Sequence, residues 1–249
     1  MNNIEVFLKS WEINKIFFLT IISCVIILSY FDNENKNVKF FIRLYFGFFS
    51  LVLAVLFSYY IHKLFHIISF NKIFNKIFNK IFKKYISKLP KELHCILFPF
   101  IFCLHYFTLF LDFHHFYHHD SKINKKWYFL FMEGFQNILF GGGLIIIFLK
   151  LFKIKFNILN YNYSLNNYII ILWALLYSSY HLINYTLKNP NNTHTEHHIN
   201  YNTNYGPDFM DILLGTKYDT NHIDNNNDGA INLIIITIFL LLLQYFYYY

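Results

Sequence analysis

Charge is scarce in this chain. Only 14% of its 249 residues are Asp, Glu, Lys or Arg, well below the roughly 25% of an ordinary soluble domain, while 56% are hydrophobic and 22% aromatic. That balance argues against a water-soluble globule and points to a membrane protein. Proline and glycine are few, four and eight, and no Pro-, Gly- or Ser-rich linker divides the chain, so it reads as one domain. Cysteine is nearly absent: Cys24, Cys95 and Cys103 are an odd number set in apolar runs. They suggest neither a disulfide framework nor a cysteine zinc site, and they are compatible with a reducing, cytosol-facing compartment. Arginine is missing but for Arg43, so the net charge of +7 is carried by lysines, gathered largely in one loop. Such a loop fits an anionic membrane surface. Nucleic acid is set aside as a partner, because the lysines alternate with Ile and Phe and no nucleic-acid-binding motif is present.

What the chain does have is long apolar runs. Crossing roughly 30 Å of hydrocarbon takes about 17–25 residues of helix. Lys15–Phe31 and Phe40–Ile61 form a first helical hairpin, with Arg43 placed to snorkel. Trp127–Phe148 and Tyr168–Tyr185, separated by the polar segment 150–167, form a second, and Ile231–Tyr249 is a further C-terminal run. The first run has no small-residue cleavage site and leads into another apolar segment, so it reads as an anchor rather than a signal peptide. The expected fold class is an all-α integral membrane protein, with about four transmembrane helices in two hairpins, a C-terminal apolar tail and a cytosolic helical cap rich in histidine.

Between the hairpins, an NKIF unit repeats from Asn71 and places Ile and Phe on successive turns with Lys and Asn opposite. This predicts an amphipathic helix lying in the membrane interface. Lys63, Lys72, Lys76, Lys80, Lys83, Lys84, Lys88 and Lys91 put the loop on the cytosolic side by the positive-inside tendency.

Histidine is the unusual count, thirteen in all. His62 and His66 stand at i and i+4, one turn apart on one helix face. His115, His118 and His119 form H-x-x-H-H, with His114 alongside, and His194, His197 and His198 repeat that spacing. His181 sits alone near the end of the fourth apolar run. Neutral imidazole suits iron, zinc, copper and nickel, and nine candidate ligands exceed the four or so that one zinc needs. The set therefore points to a dinuclear centre, with iron the metal that has an evident use in oxygen activation. His94, His105 and His222 have no partner at ligand spacing and read as structural.

Ligands of one site must reach one side of the bilayer. A full crossing by Cys95–Leu111 would separate the second cluster from the first, so this segment is expected not to span. Pro99, His105 and Asp112 fit a kinked, interfacial or re-entrant segment.

The order of these boxes in a membrane context resembles the fatty acid hydroxylase and sterol desaturase superfamily, marked by H-x(3,4)-H, H-x(2,3)-H-H and a final H-x(2,3)-H-H. The strongest stretch is His194-T-E-His197-His198, followed by Asn204-Tyr205-Gly206, Asp211 and Gly215-Thr216; it is most similar to the sterol C5-desaturase (lathosterol oxidase) branch. Tyr59, Tyr60 and His62-Lys63 are similar to the family's Y-W-x-H-R entry to its first box. The resemblance covers roughly residues 62–216, and it divides the chain into an N-terminal membrane hairpin (1–61), a histidine-box region with an inserted Lys-rich segment (62–216, insertion 67–112), and a polar linker with the apolar tail (217–249). It implies a di-iron centre held by His62, His66, His115, His118, His119, His181, His194, His197 and His198. It further implies an endoplasmic reticulum location with the clusters facing the cytosol, dioxygen as co-substrate, a lipid substrate, and electrons from NAD(P)H through a reductase and cytochrome b5.

The chain departs from the family in three places. Nearly fifty residues separate the first two boxes, and Lys63 replaces the usual arginine. The stretch that often holds an extra histidine contains instead Glu133 and Gln136. Three functions compete: an oxidoreductase that hydroxylates or desaturates a sterol, sphingolipid or fatty acyl chain; a non-catalytic membrane metal- or lipid-binding protein with a zinc-like histidine site; and a metal transporter. The last is disfavoured because the expected spans hold few ionisable groups beyond Arg43, Glu133 and His181.

Overall fold

A computed structural model describes residues 3–113, 119, 126–158, 161–187 and 192–248. It is mostly helical, and four helices are long and apolar enough to span a bilayer, the mark of a multi-pass membrane protein. They are α3 (Phe40–Ile67), α5 (Lys91–Leu111), the run Trp127–Leu151 and α11 (Gly229–Tyr248). A bent pair, α1 (Asn3–Ile13) and α2 (Lys15–Tyr30), passes the same test as one broken span, with 81° between its halves. Although no linker is evident in the sequence, the chain folds as two compact units, residues 1–62 with 130–249, and residues 63–129.

The first unit is built around α8 (Asn167–Ser179), which passes without a break into π-helical turns, Tyr180–Leu187. This is the fourth apolar run of the sequence. Its Ile169, Ile170, Leu172, Trp173, Ala174 and Leu176 are all buried, as expected for a helix apolar on every side. Asn166 caps its N-terminus by accepting from the Ile169 amide, and Trp173 Nε1 donates to Ser58 Oγ on α3 at 2.9 Å.

Helix α2 packs along α11, where Cys24 Sγ approaches the Leu233 carbonyl. The turn from α2 to α3 is closed by Asp32, which accepts from the Asn35 amide and side chain, and by Arg43, which donates to the Tyr30 carbonyl at 2.9 Å. The third run divides into α6 (Trp127–Ile138), a π turn (Leu139–Gly143) and α7 (Leu144–Leu151). Its glycines let backbone meet backbone: a Cβ on Gly142 would lie 2.8 Å from Ile170 Cγ2 and 3.0 Å from the Ile170 carbonyl.

The polar segment between the third and fourth runs holds a small departure from an all-α fold. Strands β1 (Phe156–Ile158) and β2 (Tyr161–Tyr163) pair antiparallel, with Phe156 opposite Tyr163 and Ile158 opposite Tyr161. The aromatic ring of Tyr163 stacks on Phe46 at 3.9 Å and is fully buried, so tertiary packing gives this short ribbon the support that an isolated hairpin lacks. Residues 217–228, expected as a linker, are also packed. Buried Asn14, at the bend between α1 and α2, donates to the Asp224 carbonyl and accepts from the Asn226 amide, while Asn227 Oδ1 accepts from the Phe17 amide.

The second unit is a helical pair, α4 (Phe70–Lys84) and α5, joined through a single 3₁₀ turn at Ile86–Lys88. The segment expected to be kinked, interfacial or re-entrant, Lys91–Leu111, is one α-helix that runs through Pro99 without a break. Proline costs a helix one hydrogen bond and a clash one turn back, and twelve further residues carry α5 on to Leu111.

Candidate metal centre

In the first unit three elements bring five histidines together. The last turns of α3 supply His62, the π segment after α8 supplies His181, and α9 (Asn192–Ile199) supplies His194, His197 and His198. On α9 the i, i+3, i+4 spacing puts all three on one helix face. The π turns matter because they widen the helix by one residue per turn at His181, a distortion common at functional sites. Ring centroids are 5.0 Å apart for His62 and His197, 6.2 Å for His62 and His181, 5.7 Å for His181 and His194, and 4.6 Å for His194 and His198. One nitrogen of His62 and one of His197 lie within 4.8 Å.

The protonation pattern follows from the partners. A backbone carbonyl only accepts, so each ring nitrogen facing one must carry the proton. His62 Nδ1 donates to the Tyr205 carbonyl at 2.5 Å, His181 Nδ1 to the Tyr177 carbonyl at 3.1 Å, and His197 Nδ1 to the Thr203 carbonyl at 2.6 Å. In a neutral imidazole this leaves the lone pair on Nε2, and Nδ1–H to carbonyl is the arrangement that orients metal-ligating histidines elsewhere. Burial pushes His197 down to about 4, against the raising effect of its hydrogen bond to Thr203, so that ring is neutral near pH 7. His194 and His198 place their Nε2 atoms 3.0 Å apart, near enough for one ion to meet both at a metal–nitrogen distance of about 2.0–2.1 Å. The donor set thus fits a transition metal.

The Asn204–Thr216 stretch builds the support for this face. Asn204 adopts positive φ (56°), which Asn tolerates, and its side chain ties the Thr193 carbonyl to the Tyr218 amide. Asp211, on α10 (Asp208–Leu214), accepts from the Tyr205 amide at 2.9 Å, the Gly206 amide at 3.1 Å and Thr216 Oγ1 at 2.7 Å. With Thr216 donating to Asp211, the Tyr59 hydroxyl 2.7 Å away is the donor to Thr216. Gly206 is required by space, since a Cβ there would come within 2.7 Å of the buried Tyr59 ring. Gly215 ends α10 in the left-handed conformation, φ 68°.

Beside His62, His181 and His194 lies a cavity walled by Phe17, Phe18 and Trp173. It measures about 80 Å³ as space open to the centre of a water-sized sphere, room for several waters. Its polar lining includes Asn14, Asp208 and Asn226. Lys217 forms a buried ion pair with Asp208. Glu133 and Gln136 are both buried on α6, whose Gly134 carbonyl accepts from Ser178 Oγ at the end of α8.

In the second unit, His66 and His119 meet with ring centroids 4.8 Å apart and one nitrogen each within 4.8 Å. His115 and His118, and the neighbouring His114, lie outside the described residues. Of the histidines read as structural, His94 Nε2 donates to the Ile86 carbonyl, His105 Nδ1 faces the Asn71 amide and His222 contacts Asp224. The sequence pattern had no means of finding the carbonyls of Tyr177, Thr203 and Tyr205, because a backbone acceptor has no residue signature. Comparison of the chain with protein-family models, with curated proteins and with solved structures finds no match.

Proposed function

We propose that this chain is a membrane lipid oxidoreductase that holds two irons and uses dioxygen to hydroxylate or desaturate a sterol, sphingolipid or fatty acyl chain. The observation that carries the reading is the set of imidazoles whose Nδ1–H groups are held by backbone carbonyls, His197 among them kept neutral by burial, beside an aromatic-walled cavity. Five histidines in the first unit exceed the four ligands that one zinc needs. Bound iron would supply the dioxygen and one-electron chemistry that side chains lack. The chain's own residues orient the imidazoles and exclude bulk water: Tyr205, Tyr177 and Thr203 by their carbonyls, Phe17, Phe18 and Trp173 by their bulk, while burial keeps His197 neutral.

On this reading electrons come from NAD(P)H through cytochrome b5 or its reductase, and the clusters face the cytosol at the endoplasmic reticulum membrane. The test is elemental analysis of detergent-purified protein together with lipid turnover. About two irons per chain, lost with activity in His197→Ala, support the proposal. About one zinc and no iron after metal-controlled expression would sink it in favour of a non-catalytic membrane protein with a structural zinc.

A further inference from the structure

Helix α5 is apolar and long enough to span, yet its partner α4 carries a lysine on every turn. The two run antiparallel. At one end, the Asp112 carboxylate after α5 accepts from Ser69 Oγ and the amides of Phe70 and Asn71 at 2.8–2.9 Å, clasping the start of α4. Along the middle, Asn71 reaches His105 and Thr108, Phe74 packs on His105, and Phe82 on Phe98. At the far end His94 meets the Ile86 carbonyl. The segment therefore returns to where it began, and His119 touches His66 across more than fifty residues of chain.

A hairpin so closed crosses a bilayer with both legs or with neither. Period-four spacing turns each NKIF unit about 40° from the last, so Phe74 and Phe78 keep to the half-buried side against α5 while Lys72, Lys76, Lys80 and Lys84 stay exposed beside exposed Ile73, Ile77 and Ile81. Lysines through the hydrocarbon are among the costliest placements known, and α4 has no acidic residue to pair with them.

We propose that α4 and α5 form an interfacial hairpin confined to one leaflet, with α5 and the isoleucine edge of α4 among the acyl chains and Lys72, Lys76, Lys80 and Lys84 against anionic lipid headgroups. No side chain of α5 is buried in the fold, as suits a helix covered by lipid. The surface is independent of any metal chemistry, and its test reads neither metal nor turnover.

The native thiols Cys95 and Cys103 are exposed on α5, whereas Cys24 is buried. Nitroxide labels on these two, read for depth in the full chain reconstituted into phosphatidylcholine–phosphatidylserine vesicles, sit at one shallow depth if the hairpin is interfacial. A depth difference approaching 12 Å, about eight residues of upright helix, would overturn it. Lys88→Cys and Lys126→Cys, each in a chain with the native cysteines replaced by serine, give a second reading. Both label from the same side of sealed membranes with an impermeant maleimide; labelling from opposite sides means α5 spans. For the lipid, a fluorophore on Cys103 shifts its emission to the blue when phosphatidylserine is added, and salt reverses the shift. Replacing Lys72, Lys76, Lys80 and Lys84 with Gln removes it, with helicity checked by circular dichroism. Equal emission with and without phosphatidylserine in the parent chain would refute headgroup binding.

Discussion

His62 and Tyr205 are joined by a 2.5 Å hydrogen bond from the imidazole Nδ1 to the backbone carbonyl. It couples the end of α3 to the Asn204–Thr216 stretch, because the amide of Tyr205 is itself held by Asp211. Whatever shifts that stretch turns the His62 ring.

Gly206→Ala should therefore act at a distance from the histidines. The new methyl meets the Tyr59 ring at 2.7 Å, an overpacking that costs about 1–3 kcal/mol. Displacing the carbonyl that orients His62 should weaken metal retention by roughly 10–100-fold, the range seen for residues behind a ligand. Competition with a graded chelator checks this, and unchanged retention would disconnect the stretch from the site.

Asp211 makes stability depend on pH. Burial raises it from 3.8 to about 7, although its hydrogen bonds from Thr216, Gly206 and Tyr205 oppose the shift. A carboxyl whose folded pKa is raised stabilises fully below its unfolded pKa, and that contribution is lost as pH rises towards the folded value. The thermal midpoint of the parent should thus fall between about pH 4 and 7. Asp208 and Asp32, also raised by burial, add to the slope. In Asp211→Asn the slope should be shallower, and the variant should lose about 1–3 kcal/mol at its best pH because an amide group now faces donors. Parallel slopes in the two proteins would be the contrary result.

Gly142→Ala tests the close approach of the third apolar run to α8. The φ of 172° is ordinary extended backbone, so the penalty comes from contact with Ile170 alone. We expect a loss of about 1–3 kcal/mol, read as a lower melting temperature in detergent, with metal content per folded chain unchanged. A companion Ile170→Ala should relieve part of it, and no relief would argue against the contact.

Removing metal should destabilise the parent chain. Binding to the folded state alone contributes about 2.7 kcal/mol when free metal is a hundredfold above the dissociation constant. Chelation should lower the melting temperature, re-addition should restore it, and His194→Ala with His198→Ala should blunt the response. An identical melting curve with and without chelator would tell against a folded-state metal site.

Much of this was legible because it is local. Apolar runs of span length and the i, i+3, i+4 histidines of α9 follow from helix periodicity, which any short window of sequence displays. The packed Asn221–Asp228 region was not legible, since Asn-rich stretches read as loop and only the fold brings Asn226 and Asn227 to Asn14 and Phe17. The β1–β2 ribbon was missed for the same reason: three-residue strands lie below any reliable pattern, and the burial that sustains Tyr163 comes from Phe46 more than a hundred residues away. The continuity of α5 through Pro99 was not legible either, because a proline forfeits one backbone hydrogen bond and crowds the turn before it without fixing whether the helix stops there.

By itself the sequence determined the membrane character, the helical class and the supply of histidines, because composition and a 3.6-residue period are properties of neighbours along the chain. Only the tertiary structure decided which nitrogen of His62, His181 and His197 carries the proton, why residue 206 is glycine, and that α4 lies antiparallel to α5. Those depend on carbonyls, ring faces and helix sides from distant segments, and such meetings exist only once backbone burial has brought the segments together.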